Sequence, residues 1–281
     1  MTESIVYESV VYPGPEGSHT AAAALSLHPA ALLVPLAGFR AVADAVAAAE
    51  AAEGVLPIES SLAGPVAETH DLLYERSLSI VAETVLPIRH CLAGPAAVPL
   101  SSVRVVRSHA MAFDQCRDLL AQLSHATAVA VSSTAEAARQ SAEAGDVTEV
   151  AIVGVDAAAL YGLTVIADDV GDHTAYTRFV SIGRQTRLDV AEEVARTAFS
   201  FVTKHEPGAL HAAIEPFARA GLDLQRLVSR PLPATPWKYR FDAVVAGHPL
   251  DPVVRGALRD VKALTRELRV VGVYEGHEEG Q

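Results

Sequence analysis

The sequence predicts an α/β protein with two lobes built on parallel-rich sheets, followed by a smaller βαββαβ module. Three observations lead there. Strand-like apolar runs alternate with Ala-rich, helix-like segments through the first two thirds of the 281-residue chain. The alternation starts afresh near Val103, so the same design is read twice. Near Thr186 the pattern changes, and the charged segment 188–193 reads as a linker. Strand, helix, two strands, helix and strand then follow within about 80 residues, the ferredoxin-like order.

The first strand is expected over residues 6–12 and ends in Gly14-Pro15-Glu16-Gly17-Ser18-His19-Thr20. Ser18 or Thr20 opens an Ala-rich helix, and further strands are expected over 34–39, 55–58 and 78–86. In the second lobe, 103–107 reads as a strand and Ser108 as the cap of a helix over 110–123. A strand over 129–131 precedes Ser133-Thr134-Ala135-Glu136, which has the capping-box pattern. Strand 151–155, helix 156–161 and strand 163–167 close this lobe. The last module reads as strand 197–202, helix 207–220 with Pro207 in its first turn, strands 222–229 and 238–246, helix 252–268 and strand 269–274. No low-complexity tail is read beyond 275–281.

Composition excludes several classes. With 22 basic and 34 acidic residues the net charge is −12, which disfavours nucleic acid as a partner. An anionic substrate would need local attraction against that field. No apolar run approaches the roughly 18 residues of a membrane span, and no charged start with an apolar follow-on suggests a signal peptide. A cytoplasmic location is expected. Cys91 and Cys116 match no ligand or disulfide spacing, and Cys116 shares a helical face with Ala112, Leu119 and Leu120, as a buried thiol would. Eleven histidines show no HxH or HExxH spacing, so no metal is expected, though a site built from distant histidines stays open.

The most informative stretch is Gly54 to Asp71. An apolar run, Val55-Leu56-Pro57-Ile58, stops abruptly at Glu59-Ser60-Ser61, followed by Gly64. A buried strand that delivers polar side chains to the lip of a sheet reads this way, and ligands of open α/β sheets bind at such carboxyl ends. An ordinary strand–loop–helix joint with capping serines is the alternative.

Together these landmarks resemble the prephenate dehydratase family over nearly the whole chain. The matching motifs are Gly14-Pro15-Glu16-Gly17-Ser18, Pro57-Ile58-Glu59-Ser60-Ser61 with Gly64, Val66, Thr69 and Asp71, Ser108-His109, Ser133-Thr134-Ala135, Tyr161-Gly162-Leu163 and Thr177-Arg178-Phe179. In the C-terminal part, Pro207-Gly208-Ala209-Leu210, Ser229-Arg230-Pro231, Trp237-Lys238-Tyr239-Arg240-Phe241 and Val271-Gly272-Val273-Tyr274 resemble the family's ACT regulatory domain. The resemblance implies a two-lobed, periplasmic-binding-protein-like catalytic domain over 1–187 with a cleft between its lobes, and an ACT domain over 196–276. It also implies the reaction: prephenate loses water and carbon dioxide to give phenylpyruvate, as a step of phenylalanine biosynthesis. No metal or organic cofactor is needed, because aromatisation drives the elimination.

The chemistry explains the residue types. A ring hydroxyl leaves readily only if a donor protonates or hydrogen-bonds it. A carboxylate that leaves as carbon dioxide must shed its hydration, so a dry pocket assists. Thr177 of the Thr-Arg-Phe motif is the candidate donor, acting as a relay or hydrogen-bond donor; a strand threonine pairing across the sheet is its bland reading. Arg178 reads as a carboxylate clamp or a lobe-bridging ion pair. Glu59 reads as an acid or pocket-organising carboxylate, or as a helix-capping one. The resemblance places Ser18, Ser60, Ser61, Ser108, Met111, Ser133, Thr134, Ala175 and Phe179 around the substrate, with Ser108 and Ser133 also readable as plain caps. His19 and His109 read as core or rim histidines.

Departures from the family pattern matter too. Ser60, Met111 and Ala175 each stand where the family usually has an amide side chain, and losing one partner of a buried polar group costs roughly 1–3 kcal/mol. In the ACT part, Gly208, Ala209, Leu210, Ser229 and Arg230 match the effector-binding positions, and L-phenylalanine is the implied effector. Gly208 is also readable as a simple helix-start glycine. Val228 replaces the family's glutamate, so weak regulation is expected. ACT domains pair, so a homodimer or homotetramer is implied. The substrate class is a cyclohexadienyl dicarboxylate. Two other functions stay open: a diverged lyase acting on arogenate or another cyclohexadienyl acid, including decarboxylation without aromatisation, and a non-catalytic amino-acid sensor.

Overall fold

The computed structural model describes residues 9–232 and 235–276. The first lobe comprises β1 (Ser9–Pro13), α1 (His19–Leu27), β2 (Leu32–Leu36), α2 (Phe39–Ala47), β3 (Glu53–Ser60), the two-residue β4 (Gly64–Pro65), α3 (Ala67–Glu75) and β5 (Ser79–Ile88). The strand expected over 6–12 begins at Ser9; residues 6–8 lie outside the described residues, as does the tail from 277. The chain then enters the second lobe, with β6 (Cys91–Gly94), β7 (Val105–Ser108), α4 (Ala110–Gln115), α5 (Arg117–Gln122), β8 (Thr127–Ala130), α6 (Thr134–Ala144), β9 (Glu149–Val153), α7 (Val155–Leu160) and β10 (Thr164–Ala167). It returns to the first lobe along β11 (Ala175–Gly183). The C-terminal module is β12 (Ala195–Val202), α8 (Ala209–Arg219), β13 (Leu224–Pro231), β14 (Tyr239–Ala246), α9 (Pro252–Leu264) and β15 (Glu267–Glu275).

Each lobe has a sheet with a parallel centre. In the first, β1 lies parallel to β2 and β3, and β11 runs antiparallel between β3 and β5. β3 is covered on both faces, Val55 packing with Ala23 and Ala24 of α1 and Leu56 and Ile58 with residues of α2 and α3, which is why all three are buried instead of alternating. The second lobe orders its strands β10-β6-β9-β7-β8, with β7 parallel to both β8 and β9. Its core is narrow: Ala135, Ala137, Ala138, Ala157 and Ala158 are buried, so small side chains let α6 and α7 approach the sheet closely.

The helix expected over 110–123 is broken at Cys116, whose φ of −129° leaves the helical region. The Asp172 carboxylate causes the break to hold: it accepts from the Arg117 and Asp118 backbone N–H groups (2.7 and 3.1 Å) and so caps α5. Ser108 is not the cap of α4. Its buried hydroxyl donates to the Ile152 carbonyl (2.6 Å), and His109 caps the helix through Nδ1, which accepts from Met111 N–H at 3.2 Å.

The C-terminal module has the strand order β13-β14-β12-β15, the antiparallel ferredoxin-like arrangement, with α8 and α9 packed on one face around Phe199, Phe201 and Phe217. Pro207 precedes α8, whose cap is Gly208. One departure from the sequence reading is large. Residues 188–193 do cross without regular structure, yet they separate no independent sheets. β15 pairs with β5 in parallel at Gly272↔Ile80, so one continuous sheet runs from β13 to β2 and carries ten strands among the described residues. A Cβ at Gly272 would stand 2.3 Å from the Ile80 carbonyl oxygen, so only glycine admits this joint. The core continues across it: Ile58, Leu73, Leu78 and Ile80 pack with Ala198, Val244, Val271 and Tyr274.

Candidate active site

A cavity of about 730 Å³ lies between the two lobes. Its walls come from the β1–α1 and β2–α2 loops, the ends of β3 and β11, the crossing before β6, α4, and the β8–α6 loop. Ligand pockets of this size, built from loops on rigid sheets, suit a small metabolite.

Thr177 and Phe179 project into this cavity from β11, and Ser60 reaches it from the last position of β3. Thr177 and Ser60 are register partners on adjacent strands. Among the described residues the Thr177 hydroxyl has no hydrogen-bond partner, so it is available to a ligand. Ser60 Oγ accepts from Leu62 and Ala63 N–H (3.3 Å each) and orders the turn after β3. Ser18 and Ser133 line the cavity while capping α1 and α6, accepting from Ala21 N–H (3.2 Å) and Glu136 N–H (3.0 Å). Thr134 and Met111 line it as well, Met111 being 41% exposed.

Other expected residues lie elsewhere. Strand alternation puts Glu59 and Arg178 on the opposite face of the sheet from Thr177, toward the C-terminal module. There Arg178 pairs with Glu83 and approaches Glu59 at 3.6 Å, both within the first lobe, and it lines the rear cavity instead of the cleft. Glu59 caps no helix and does not face the cleft. Ser61 faces the same rear side, its hydroxyl accepting from Tyr176 N–H at 2.9 Å. Ser108 is fully buried and spent on Ile152. Ala175 shares the face of Thr177 but is 2% exposed, pairs with Ile88 and does not border the cavity. Of the three positions without the family's amide, Ser60 and Met111 border the cleft and Ala175 does not.

Three residues were missed by the sequence reading. Gln115 lines the cavity one helical turn beyond Met111 and accepts from His90 Nε2 at 2.8 Å. An amide is thus present on the same helix face, and the i,i+4 spacing was the signal that could have found it. His90 is 4% exposed, its Nδ1 has no partner among the described residues, and burial pushes its pKa down. Gly38, the third, opens α2 at the cavity wall with no side-chain cap, so first-turn N–H groups stay free for an anion. His19 stands edge-on to His90, with ring centroids 6.0 Å apart. Burial, aided by that neighbour, pushes its pKa down to about 4. Both imidazoles are neutral near pH 7.

No Arg, Lys, Asp or Glu is among the residues lining this cavity. Its polar equipment is hydroxyls, one amide, the neutral imidazoles of His19 and His90, the His109 ring and the N-termini of α1, α2 and α6. Such a site can hold carboxylates by fixed dipoles while keeping them poorly hydrated. Cys91 and Cys116 are buried, and burial pushes their thiols up to about 11 and about 12, so neither is a nucleophile. No group of metal-ligating side chains occurs among the described residues, and no helix there is long and apolar enough to cross a membrane.

A two-lobed α/β body with an interlobe cleft lined by no charged side chain, and with an attached ferredoxin-like module, defines a class: α/β proteins that take a small molecule between their lobes. The chain belongs to the prephenate dehydratase family, whose family model matches residues 10–187. A bifunctional chorismate mutase/prephenate dehydratase of Stutzerimonas stutzeri is 34% identical over 268 residues, covering 94% of this chain and 72% of the relative. The solved structure of prephenate dehydratase from Arthrobacter aurescens in complex with L-Phe is 31% identical with a TM-score of 0.85, covering 95% of this chain and 90% of that one. GqqA, described as a novel type of quorum quenching acylase, is 30% identical with a TM-score of 0.86, covering 96% and 98%. Family members are lyases that dehydrate and decarboxylate prephenate.

Proposed function

We propose that this protein turns prephenate into phenylpyruvate in the interlobe cleft, with Thr177 as donor to the departing ring hydroxyl. The observation that carries the reading is the unpartnered Thr177 hydroxyl at the floor of a cavity that lacks charged side chains. The ring C–O bond breaks as the C–C bond to the ring carboxylate breaks, and that electron pair completes the aromatic ring. The hydroxyl leaves as water with a proton relayed through Thr177, since threonine is too weak an acid to supply it alone. The helix N-termini and the Gln115 amide hold the carboxylates, and a largely apolar lining without charged side chains favours the loss of carbon dioxide.

The same cavity argues against the other readings. Arogenate carries an ammonium group where prephenate has a ketone, and no carboxylate lines the cavity to receive it. Amide hydrolysis of the acylase kind needs a nucleophile beside a base. No lining Ser or Thr is hydrogen-bonded to a histidine or carboxylate among the described residues. The C-terminal module reads as an ACT domain that binds L-phenylalanine near Gly208, Ala209, Leu210 and Ser229, with support from the L-Phe complex of the Arthrobacter relative. The domains are taken as 1–187 and 196–276, working in the cytoplasm as a homodimer or homotetramer. Incubation with prephenate, followed by the ultraviolet absorbance of phenylpyruvate in alkali, tests the reading. Prephenate loss with a non-aromatic product would favour a diverged lyase. Absence of turnover with ligand-dependent thermal stabilisation would favour a sensor.

A further inference from the structure

Behind the catalytic face of β3 and β11, a second cavity of about 840 Å³ separates the first lobe from the C-terminal module. Ser60 lines both cavities, so the strand ends are the wall between them. On the rear side, Arg226 of β13 forms an ion pair with Glu59 at 3.0 Å and comes within 3.9 Å of Glu83. Arg178 reaches both of these carboxylates, and Arg196 pairs with Glu83 at 3.1 Å. The front and rear residues are immediate neighbours: Glu59 precedes Ser60, Arg178 follows Thr177, and the two pairs are in register. The ladder between β3 and β11 is interrupted by a bulge just after Arg178, which sets the Thr177–Ser60 end apart from the rest of that ladder, while β11 stays paired with β5 on its other side.

We infer that Arg226, contributed by the C-terminal module, is a positioning residue for Thr177 and Ser60. Arg226 fixes Glu59, and in a pleated strand the direction of one side chain fixes that of the next. Arg226, Val228 and Arg230 alternate onto one face of β13, and Arg230 clasps Asp71 of α3 through Nε at 3.1 Å. A shift of β13 would therefore move Glu59, the residue next to Ser60 in the chain, which gives the C-terminal module a mechanical handle on turnover.

The kinetic arm rests on the prephenate dehydratase reading. In the full-length chain, Arg226→Gln should lower kcat by roughly tenfold or more, since small misplacements of a reacting group are costly, with KM changed less than threefold. Arg226→Lys should recover most of the loss. Glu59→Gln should behave as Arg226→Gln does, and the double variant should be no worse than the poorer single. Deuterium uptake in peptides spanning 53–60 and 175–183 should rise in Arg226→Gln and return to normal in Arg226→Lys. Unchanged kcat, a loss confined to KM, or unchanged uptake would overturn the inference. If the wild type fails to turn over prephenate, the functional reading falls, and the uptake comparison alone decides this one. If Arg226→Gln does not fold, Glu59→Gln carries the same tests.

Discussion

At the residue scale, the proposed mechanism turns on Thr177, because neither Arg178 nor Phe179 offers a donor to the cleft. Arg178 is held by Glu83 and Glu59 on the rear face, and Phe179, though it borders the cavity, is a buried ring packed beside Val10 and Val55 with no hydrogen-bonding group. Thr177→Val should therefore cut turnover by on the order of 10²-fold or more while the melting temperature stays within a few degrees, and Thr177→Ser should keep much of the activity. Activity of the valine variant within a few-fold of wild type would remove Thr177 from the mechanism. His19 offers a separate test through pH. Its folded-state pKa of about 4 lies below its ordinary value of 6.5, so the unfolded chain takes up the proton first. The corresponding stability is fully present above pH 6.5 and is lost progressively as pH falls toward 4; His90, also pushed down, adds in the same direction. Thermal melts between pH 7 and pH 4 should show that decline, and His19→Gln should flatten it. A melting temperature equally steep in the variant would mean that other groups carry the acid sensitivity.

At the scale of elements, the joint between β15 and β5 is what makes two modules one sheet. Gly272→Ala would drive a methyl group against the Ile80 carbonyl, so the melting temperature should fall by several degrees and the unfolding transition should split into two. A single transition at the wild-type temperature would show that the joint tolerates a side chain. This joint was not legible in the sequence, since Gly272 reads there as an ordinary strand glycine and close approach is a property of the partner strand. The order of elements was legible, because Val55 to Ile58 and the capping serines Ser18 and Ser133 carry local signals. The break at Cys116 was not, because the cap that holds it, Asp172, arrives from more than fifty residues away. The same limit explains the site. The motif residues around Glu59 and Thr177 were visible, but which face each one serves depends on the register of β3 against β11. Alternation then gives Ser60 and Thr177 to the cleft and Glu59 and Arg178 to the module behind it.

At the scale of the whole molecule, the continuous sheet ends at β13, and its outer backbone groups have no partner strand among the described residues. Leu227 on that edge is 39% exposed, and Ser229 is exposed too. Bare edges of this kind are commonly covered by a second copy, so the chain should assemble at least as a dimer through β13. Effector binding at that junction should be weak for a physical reason. The ammonium of an amino acid needs an acceptor, yet Gly208, Ala209, Leu210, Ser229 and Arg230 include no carboxylate. Arg230, the natural partner for the effector's own carboxylate, is already held by Asp71, and that contact raises its pKa. Val228 cannot compensate: it is the register partner of Asp242 and lies on the face turned toward the first lobe. Gly208 has φ +81°, a left-handed conformation that a β-branched residue resists, so Gly208→Val reports on this turn. Light scattering should give a dimer or tetramer mass that Gly208→Val leaves intact, and millimolar phenylalanine should inhibit wild-type turnover only slightly. A concentration-independent monomer would remove the β13 interface. Strong inhibition by micromolar phenylalanine, abolished in Gly208→Val, would show that the turn holds the effector without a carboxylate and that Arg230 leaves Asp71 to do so.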